Sequence, residues 1–579
     1  MKHLWVLFFL SLIFYNTLFS QPIGTTQIPK REVRAVWLTT AAGMDWPRTT
    51  NVDEQQRSML EIIRKLREAN FNTIFFQVRG RGDTMYKSKY EPWSDRLTGT
   101  LGKNPGWDPL EFLLQHAHAN GFEVHAWFNT FRVGNGIKNG IGDKKHIAES
   151  NSDWVKKYNG ETWLDPGIPE VREYNLNVAM DLIRNYDIDG IHFDFIRYPG
   201  KDYADDETYR LHGKKENKDE WRRENVNKFV RAMYDSAIAV KPMLKVGSAP
   251  IGVYKNLKNA IGWQSYSAIY QDSRKWLEEK KHDYLAPQVY WSLGTKPGDP
   301  DFAAITKDWG DNSYERHIYI GIGAYKPEVF QQLPLLIDVT RLYGNDGNSF
   351  FRYEHIKENL LLGRRYMYLA NIPPMKWKDS ILPNPPLDLQ VSEISPGTFK
   401  LQWKSPQPAI DKDGAKYYNI YRSPVKPVDI NNPANILAII PAEENSYIDI
   451  IERPRSGHYY YVVTAFDKGN NESTPASVQE VEITLIVQLP KKLTPKFLLA
   501  YLLKKSQRTL YLTYEVERTD KIILKIEDYD KTDTRIVVYE VKDAGRYVVA
   551  VETANLKKGS TKIILETGGF SYSHNVILD

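Results

Sequence analysis

Short apolar runs alternate with amphipathic segments between residues 30 and 375. The runs are typical of strands buried on both faces, whereas the segments between them place apolar residues at helical spacing, as Met59, Ile63 and Leu66 do. The predicted strands are Val33–Thr39, Thr73–Arg79, Glu123–Asn129, Gly190–Phe195, Lys245–Ala249, Asp283–Tyr290, Ile318–Gly323 and Ser349–Tyr353. The predicted helices are Asp53–Ala69, Pro109–Asn120, Glu170–Tyr186, Glu220–Val240, Ser267–Lys280, Pro327–Tyr343 and Glu354–Tyr368.

Eight strands that alternate with helices predict an α/β fold, a (β/α)8 barrel of the TIM type with long loops over residues 30–375. A doubly wound open sheet is the alternative. That fold is usually shorter, and no glycine-rich phosphate loop follows the first predicted strand.

The pattern changes after the predicted barrel. Residues 376–386 are rich in proline and predict a stiff linker. Residues 387–487 alternate apolar and polar positions with a period of two, in runs such as Phe399–Trp403, which predicts a small all-β sandwich. Residues 491–579 hold further strand-like runs and predict a second β-sandwich, to which we assign no chemistry.

The first residues have a basic start followed by an apolar stretch from Leu4 to Phe19. This pattern is typical of a secretory signal peptide over residues 1–20. An uncleaved anchor is the alternative, because the stretch is near the shortest length that spans a bilayer. No later stretch is apolar enough to span, so we expect an exported protein of the periplasm, cell envelope or extracellular space.

The composition narrows the classes of function. The chain has 77 basic and 72 acidic residues, a net charge of +5 and no long basic run, so nucleic acid is not an expected partner. The absence of cysteine excludes disulfides, cysteine-based metal sites, a cysteine nucleophile and a lipoprotein anchor. The 15 Trp, 36 Tyr and 22 Phe suit clefts that stack on sugar rings.

Polar and aromatic residues recur at the carboxyl-terminal ends of the predicted strands, where barrel enzymes place their chemistry. In strand order they include Arg79, Trp127, Asn129, Arg132, His192, Asp194, Arg197, Gln288, Tyr290 and Trp291. The opposite ends carry Glu32, Asn72, Asp189 and His282, which we expect to face solvent. A groove lined by Trp and Arg suits a carbohydrate, because aromatic faces stack on sugar rings and planar polar groups bind hydroxyls.

Asp194 is central to this pattern. It ends the apolar run Gly190–Phe195, which should contain no charge if the strand is buried on both faces. A structural ion pair between Asp194 and Arg197 is the alternative to a functional role.

Nine motifs follow one another along residues 31–375. They are Arg34-Ala35-Val36-Trp37, Gln77-Val78-Arg79 with Gly82-Asp83, Trp107-Asp108-Pro109-Leu110, Ala117-His118 with Gly121, His125-Ala126-Trp127, Leu164-Asp165-Pro166-Gly167, Asp189-Gly190-Ile191-His192-Phe193-Asp194, Gln271-Asp272-Ser273 and Ala286-Pro287-Gln288-Val289-Tyr290-Trp291. Together they resemble the bacterial glycosyl-hydrolase-like family 10. The resemblance implies a (β/α)8 glycosidase domain that acts on an envelope or extracellular polysaccharide, with peptidoglycan glycan strands favoured.

A second resemblance covers residues 383–487. Pro386, Leu389, Trp403, the run Tyr459–Asp467 and the turn Gly469–Ser473 resemble a fibronectin type III module. We expect the two carboxyl-terminal β domains to hold the barrel at a surface or to space it from one.

Glycoside hydrolysis usually needs two carboxyl groups, one to protonate the leaving oxygen and one to attack the anomeric carbon or activate water. We expect Asp194 to be the nucleophile or base, kept ionised by Arg197, which would lower its pKa. Strands five and six end without an acid, so Asp272, Asp83 and Asp45 are the candidates for the second carboxyl. Each has an alternative role as a loop cap or an arginine partner.

The predicted substrate-binding residues are Arg79, Trp127, Asn129, Arg132, His192, Arg197, Gln288, Tyr290 and Trp291. We expect no cofactor and no metal, because His192 and Asp194 lack further ligands at suitable spacing. The competing function is a glycan-binding protein that retains the groove without the chemistry. A deacetylase-like or esterase barrel would need a metal triad or a serine nucleophile elbow, and neither pattern is present.

Overall fold

The structure, a computed structural model, describes residues 27–134, 140–213, 216–258, 260–294, 299–360, 362–395, 397–451, 457–483, 500–504, 509–516, 518–528, 534–552, 559–567 and 570–578. The predicted signal peptide over residues 1–20 lies outside these ranges. Contacts divide the chain into two units with the boundary between residues 485 and 486. Among the described helices, none has the length and apolar character that crossing a bilayer requires.

The first unit is built on a closed barrel of eight parallel strands, so the predicted fold class is confirmed. The strands are β1 Val33–Leu38, β2 Thr73–Arg79, β3 Glu123–Asn129, β4 Gly190–Asp194, β5 Lys245–Ser248, β6 Tyr284–Leu285, β7 His317–Ile322 and β8 Gly347–Phe350. They pair in sequence order, and β8 closes the barrel on β1.

The helices around the barrel are α1 Val52–Glu68, α2 Asp95–Thr98, α3 Pro109–Ala119, α4 Ile147–Ser150, α5 Pro169–Asn185, α6 Asp206–His212, α7 Lys218–Val240, α8 Ser265–Ala268, α9 Ser273–Glu278, α10 Phe302–Asp311, α11 Pro327–Phe330, α12 Leu333–Leu342 and α13 Tyr353–Ile356. Local sequence signals explain where a helix begins, as α3 shows. Asp108 caps α3 by accepting the amide hydrogens of Leu110 and Glu111, and Pro109 occupies the first helical position, where its missing N–H is not needed.

Three predicted helices are wrong in extent, and one of them, Pro327–Tyr343, is divided into α11 and α12. Glu354–Tyr368 is not one helix, because α13 ends at Ile356 and the backbone at 362–364 has positive φ values of 42°, 59° and 65°, which an α-helix cannot contain. Ser267–Lys280 is split into α8 and α9 around Tyr270, whose φ is 59°.

Four helices, α2, α4, α6 and α10, were not predicted, and the sixth strand has other bounds than predicted. The helix α10 follows Asp301, whose side chain accepts the amide hydrogen of Ala304. The sixth strand is shorter than the predicted Asp283–Tyr290, because Pro287 has no N–H to donate to the ladder. Gln288 resumes the pairing as an isolated bridge to Ile251 and Gly321.

A small antiparallel sheet is inserted between β3 and α5. Its strands are Arg132–Gly134, Glu161–Leu164 and Val155–Tyr158, with Glu161–Leu164 in the middle. We call this feature the insertion sheet. Because it follows β3, it stands at the carboxyl-terminal end of the barrel.

Seven strands after the linker form two antiparallel sheets that share one apolar core, which includes Leu401, Tyr418 and Val463. The strands are β9 Leu387–Ser395, β10 Thr398–Lys404, β11 Tyr417–Ser423, β12 Ile436–Pro441, β13 Ser446–Ile450, β14 Gly457–Phe466 and β15 Gln479–Ile483. One sheet has the order β9-β10-β13 and the other β12-β11-β14-β15. We call this feature the β-sandwich; its likeness to fibronectin type III modules stays a prediction.

The β-sandwich packs against the amino-terminal end of the barrel. Lys416 reaches Asp189, just before β4, with a 2.7 Å contact, and Asn470 donates to Glu123, the first residue of β3. The predicted solvent-facing strand starts are therefore wrong: Glu32, Asn72 and His282 are at most 7% exposed, and the side chain of Asp189 is 8% exposed.

The second unit also consists of two antiparallel sheets. Its strands are β16 Ala500–Lys504, β17 Thr509–Val516, β18 Asp520–Asp528, β19 Thr534–Lys542, β20 Gly545–Glu552, β21 Gly559–Thr567 and β22 Phe570–Leu578. The sheet orders are β16-β17-β20 and β19-β18-β21-β22.

Candidate active site

Asp194 is the last residue of β4 and lies in register with Asn129, the last residue of β3. Its Oδ1 accepts the backbone N–H of Phe195 at 2.7 Å, and the side-chain amide of Gln288 donates to the same oxygen at 3.4 Å. Phe195 takes a φ of 49°, which turns the chain sharply after the strand. The strand end and the following turn thus fix the carboxyl group at the mouth of the barrel.

Burial raises the pKa of Asp194, while the Phe195 N–H and the charges of Arg197 and Arg132 oppose the rise. The prediction that Arg197 lowers the pKa has the right sign for that one interaction, but burial outweighs it. Asp194 therefore keeps its proton to a higher pH than an exposed aspartate does.

Aromatic rings surround this carboxyl group. Phe351 stacks on Tyr290 at 5.5 Å between centroids and meets the edge of Trp127 at 6.4 Å. Burial and the nearby charge of Asp194 hold the pKa of Tyr290 well above its usual value, so its hydroxyl stays protonated. Three predicted substrate-binding residues, Trp127, Gln288 and Tyr290, are thus brought to Asp194.

Arg197 acts electrostatically on Asp194 and also lines an open cleft of about 460 Å³. Its guanidinium lies over the rings of Trp163, Trp263 and Phe195, at 5.0, 5.1 and 5.3 Å from their centroids. It donates to the carbonyl of Tyr198 and forms no salt bridge with any carboxylate of the described residues. Burial and the nearby charge of Arg132 lower the pKa of Arg197 to about 10, so it is still a cation at neutral pH.

Arg132 holds a carboxylate on the same cleft. Its Nε and Nη2 donate to the two oxygens of Glu161 at 2.9 and 2.5 Å. Glu161 lines the cleft with Tyr158, Trp163 and Arg197. The hydrogen bond from Arg132 is the main cause of a lowered pKa at Glu161, which is therefore an anion at neutral pH.

Two predicted substrate-binding residues are instead buried, and their side chains already bond to other groups of the protein. Arg79 is fully buried, pairs with Glu91 at 2.6 Å and donates to the carbonyls of Asn129 and Thr130. His192 is fully buried, with its Nε2 accepting the indole N–H of Trp37 at 3.0 Å and its Nδ1 3.0 Å from the hydroxyl of Tyr284. Neither side chain can reach a substrate, so both role assignments are corrected to structural ones.

The three candidates for the second carboxyl are also engaged. Asp83 accepts from Ser94 at 2.8 Å and pairs with Arg81, while Asp45 accepts the backbone N–H of Thr39. Asp272 accepts the hydroxyl of Tyr254 at 2.6 Å. All three are at most 9% exposed. They have the loop-fixing contacts that the alternative interpretation described.

The remaining predicted residues stand at the mouth. The Asn129 amide donates to the carbonyl of Gly80 at 2.7 Å. Trp291 is partly exposed, with the ammonium group of Lys326 at 5.8 Å from its ring.

Comparison with known proteins identifies the family. The family model described as glycosyl hydrolase-like 10 matches residues 32–333. "Glycosyl hydrolase YngK" of Bacillus subtilis (strain 168) is 32% identical over 506 residues, which cover 81% of this chain and 97% of that protein. The chain belongs to the glycosyl hydrolase-like 10 family. The predicted family and the predicted glycosidase class are therefore confirmed.

Other proteins share parts of the chain. "Glycosyl hydrolase DigH" of Escherichia coli (strain K12) is 35% identical over 342 residues, or 53% of this chain and 76% of that protein. The solved glycoside hydrolase domain of PgaB (BpsB) from Bordetella bronchiseptica is 12% identical, with a TM-score of 0.42 over 59% of this chain and 99% of that domain.

Sequence reasoning missed three residues of this glycosyl hydrolase-like 10 cleft: Glu161, Trp163 and Trp263. A signal for the first two was present, because they directly precede the family-like motif that begins at Leu164. Trp263 is 47% exposed in the loop between β5 and α8, where no motif marks it.

Two groups of side chains bear on metal binding. Both ring nitrogens of His192 are taken by Trp37 and Tyr284, so His192 offers no ligand beside Asp194. Among the described residues, the side chains of Asp379, Asp411 and Asp413 bring oxygens within 4.8 Å of one another. These three belong to the linker and the β-sandwich.

Proposed function

We propose that this protein is an exported glycoside hydrolase that cleaves a cell-envelope or extracellular polysaccharide, with peptidoglycan glycan strands the favoured substrate. The observation that carries the proposal is the position of Asp194 at the end of β4, beside the arginines and aromatic rings of an open cleft. The names of the relatives YngK and DigH, both glycosyl hydrolases, support the reaction class. The signal-like residues 1–20 support export.

Asp194, which the sequence predicts to be the nucleophile or base, is instead the proton donor of the proposed reaction. Burial raises its pKa, which favours the protonated form that a leaving-group oxygen requires. Trp263, which is 47% exposed, can stack on a sugar ring, and the Arg197 guanidinium offers donors to sugar oxygens. Among the sequence-based candidates for catalysis, Asp194 alone adjoins this cleft through Arg197.

A glycan-binding protein without hydrolytic activity is the second candidate. The observation in its favour is that Asp272 and Asp83, the expected partners of Asp194, are committed to Tyr254, Ser94 and Arg81. Surface attachment through the β domains is compatible with either candidate and is part of the proposal.

The test is digestion of purified peptidoglycan strands, with and without stem peptides, beside a panel of polysaccharides. We expect the wild type to release reducing ends and Asp194→Asn to bind without cutting, because the amide keeps the size of the side chain but has no transferable acidic proton. Asp206→Asn is the matched control, since that carboxylate is 92% exposed on α6. If the wild type and Asp194→Asn both bind and neither cuts any glycan, the binding function replaces the hydrolase.

A further inference from the structure

Glu161 is a carboxylate on the cleft, and glycoside hydrolysis usually needs a second carboxyl group. The sequence-based candidates for that group do not line this cleft. Glu161 begins the middle strand of the insertion sheet, pairs across the hairpin with Tyr158 and lines the same cleft as Arg197. Its side chain is 36% exposed, so the carboxylate is open to a bound molecule. Asp272, Asp83 and Asp45 have no comparable access.

Two guanidinium groups connect Glu161 to Asp194. Arg132, which binds both oxygens of Glu161, lies 4.8 Å from the centre of the Phe195 ring, and Arg197 lies 5.3 Å from the same centre. Phe195 follows Asp194 directly, and its N–H binds that carboxyl group. The two acids are thus arranged around one aromatic ring and one pair of cations.

We propose that Glu161 is the second carboxyl group of the hydrolysis and acts as the base; this inference rests on the proposed hydrolase function. The bidentate contact with Arg132 holds the carboxylate in one place, yet each oxygen keeps a lone pair for a water molecule. Glu161 is ionised, as a base must be before it takes a proton, and its exposure leaves room for a water molecule beside it.

The step balances with Asp194 and Glu161 alone. A water oxygen bonds to the anomeric carbon while the bond from that carbon to the leaving oxygen breaks. Glu161 takes a proton from the attacking water, and Asp194 gives its proton to the leaving oxygen. Because water attacks from the face opposite the leaving group, the released sugar has the inverted anomeric configuration.

The alternative role for Glu161 is purely structural, as a partner that holds Arg132 in place. The two roles differ in what restores activity. A missing base is replaced by azide, which attacks the anomeric carbon without losing a proton and yields a glycosyl azide. A misplaced Arg132 is not corrected by azide.

The experiment compares kcat and KM on the polysaccharide that the wild type cleaves, for Glu161→Gln, Glu161→Ala and Arg132→Met. Glu149→Gln is the control, because that glutamate is exposed on α4 and pairs with Lys145. We expect Glu161→Gln to lose about 100-fold or more in kcat, the usual size of a base effect, with KM changed by less than about threefold. Azide should restore turnover to Glu161→Ala and give a glycosyl azide, and wild-type product should be inverted by NMR.

Three results would overturn the assignment. If Glu161→Gln keeps kcat within about threefold of the wild type while Asp194→Asn is inactive, the hydrolase stands and Glu161 is not its base. If Glu161→Ala and Arg132→Met lose activity equally and azide restores neither, Glu161 is a positioning residue. If the wild type cuts no glycan, the proposed function and this assignment both fail.

Discussion

The same residue type behaves differently at each position of this protein because its neighbours differ. Asp194 is raised in pKa by burial at the barrel mouth, where two arginines limit the rise. Asp467, in the β-sandwich, is 1% exposed, and burial raises its pKa to about 6. Its Oδ1 accepts the N–H of Asn471, and its Oδ2 has no hydrogen-bond partner among the described residues. The first carboxyl group belongs to the candidate active site, and the second costs stability once it ionises.

The Asp467→Asn variant should be more stable than the wild type at pH 7. The folded protein keeps a proton on Asp467 that the unfolded chain loses near pH 4, so this residue weakens folding as the pH rises from about 4 to about 6. Urea unfolding should show a gain of about 1–3 kcal/mol at pH 7 and little change at pH 4. Asp449→Asn is the contrasting variant, because Asp449 is paired with Arg422 at 2.7 Å and should lose stability instead. Equal stability of Asp467→Asn and wild type at pH 7 would contradict the argument.

Single residues were predictable where backbone position alone decides their surroundings. Asp194, Gln288 and Tyr290 stand at strand ends, and a barrel brings such ends together whatever the loops do. Arg79 and His192 follow the same rule but meet Glu91 and Trp37, partners that only the folded chain reveals. A sequence shows which side chains can form hydrogen bonds or ion pairs. Only the fold shows which of them already bond to partners within the protein.

A continuous line of hydrogen bonds runs inside the barrel, across four of its strands. The Trp37 N–H donates to His192, the His192 Nδ1 lies 3.0 Å from the Tyr284 hydroxyl, and that hydroxyl lies 2.7 Å from the His125 Nδ1. The line continues from His125 to Glu123 at 3.4 Å. Since a neutral imidazole carries one N–H, the Trp37 contact puts the His192 proton on Nδ1 and orders the protons as far as Glu123. The interior of the barrel is thus polar along its axis yet free of open donors at these five residues.

Tyr284→Phe should destabilise the barrel more than Tyr319→Phe does. The first change removes the hydroxyl between His125 and His192 and leaves two buried ring nitrogens unpaired, at a cost of about 2–5 kcal/mol in the free energy of unfolding. The second removes one weaker contact, 3.2 Å to His317, and should cost about 1 kcal/mol. The two rings stack at 4.7 Å, so their packing is closely matched, and equal losses in thermal or urea unfolding would argue against the hydrogen-bonded line.

Elements were predicted well where the pattern is long and periodic, and poorly where it is interrupted. The strands β2 and β3 have the predicted bounds, since each is a mostly apolar run that ends in a polar residue, Arg79 or Asn129. The insertion sheet was missed because its strands are only three or four residues long and lie in what resembles a loop. With it, Glu161 was missed as well.

At the scale of the first unit, the β-sandwich covers charged residues at the amino-terminal end of the barrel. Asp189 receives Lys416 at 2.7 Å and contacts His118 at 2.8 Å, and Asn470 binds Glu123 at 3.1 Å. Lys416 lowers the pKa of Asp189 despite its burial, so the pair contributes stability above about pH 4 and loses it as the pH falls further. The change of pattern after residue 375 predicted a separate domain, but nothing in the sequence indicated that this segment covers buried charges of the barrel.

Lys416→Met should lower the stability of the unit without changing the catalytic constants of the folded enzyme. It leaves the carboxylate of Asp189, whose side chain is 8% exposed, without its main cation, which should cost about 2–4 kcal/mol in urea unfolding at pH 7. The control is Lys412→Met, an exposed position in the loop before β11, with an expected change below about 0.5 kcal/mol. A lower kcat for Lys416→Met at a temperature where it is fully folded would show that the two ends of the barrel are coupled.

Because the β-sandwich covers one end of the barrel, the two ends of the first unit differ in what they expose. The cleft opens at the carboxyl-terminal end of the strands, and the β-sandwich with Lys30 and Arg31 occupies the other end, where both cations meet Glu472. An attachment made through an exposed β-sandwich residue, such as Lys404, therefore leaves the cleft facing the solution. Beads or sensor surfaces coupled at this position alone would hold the first unit in one orientation, with its cleft on the side away from the support.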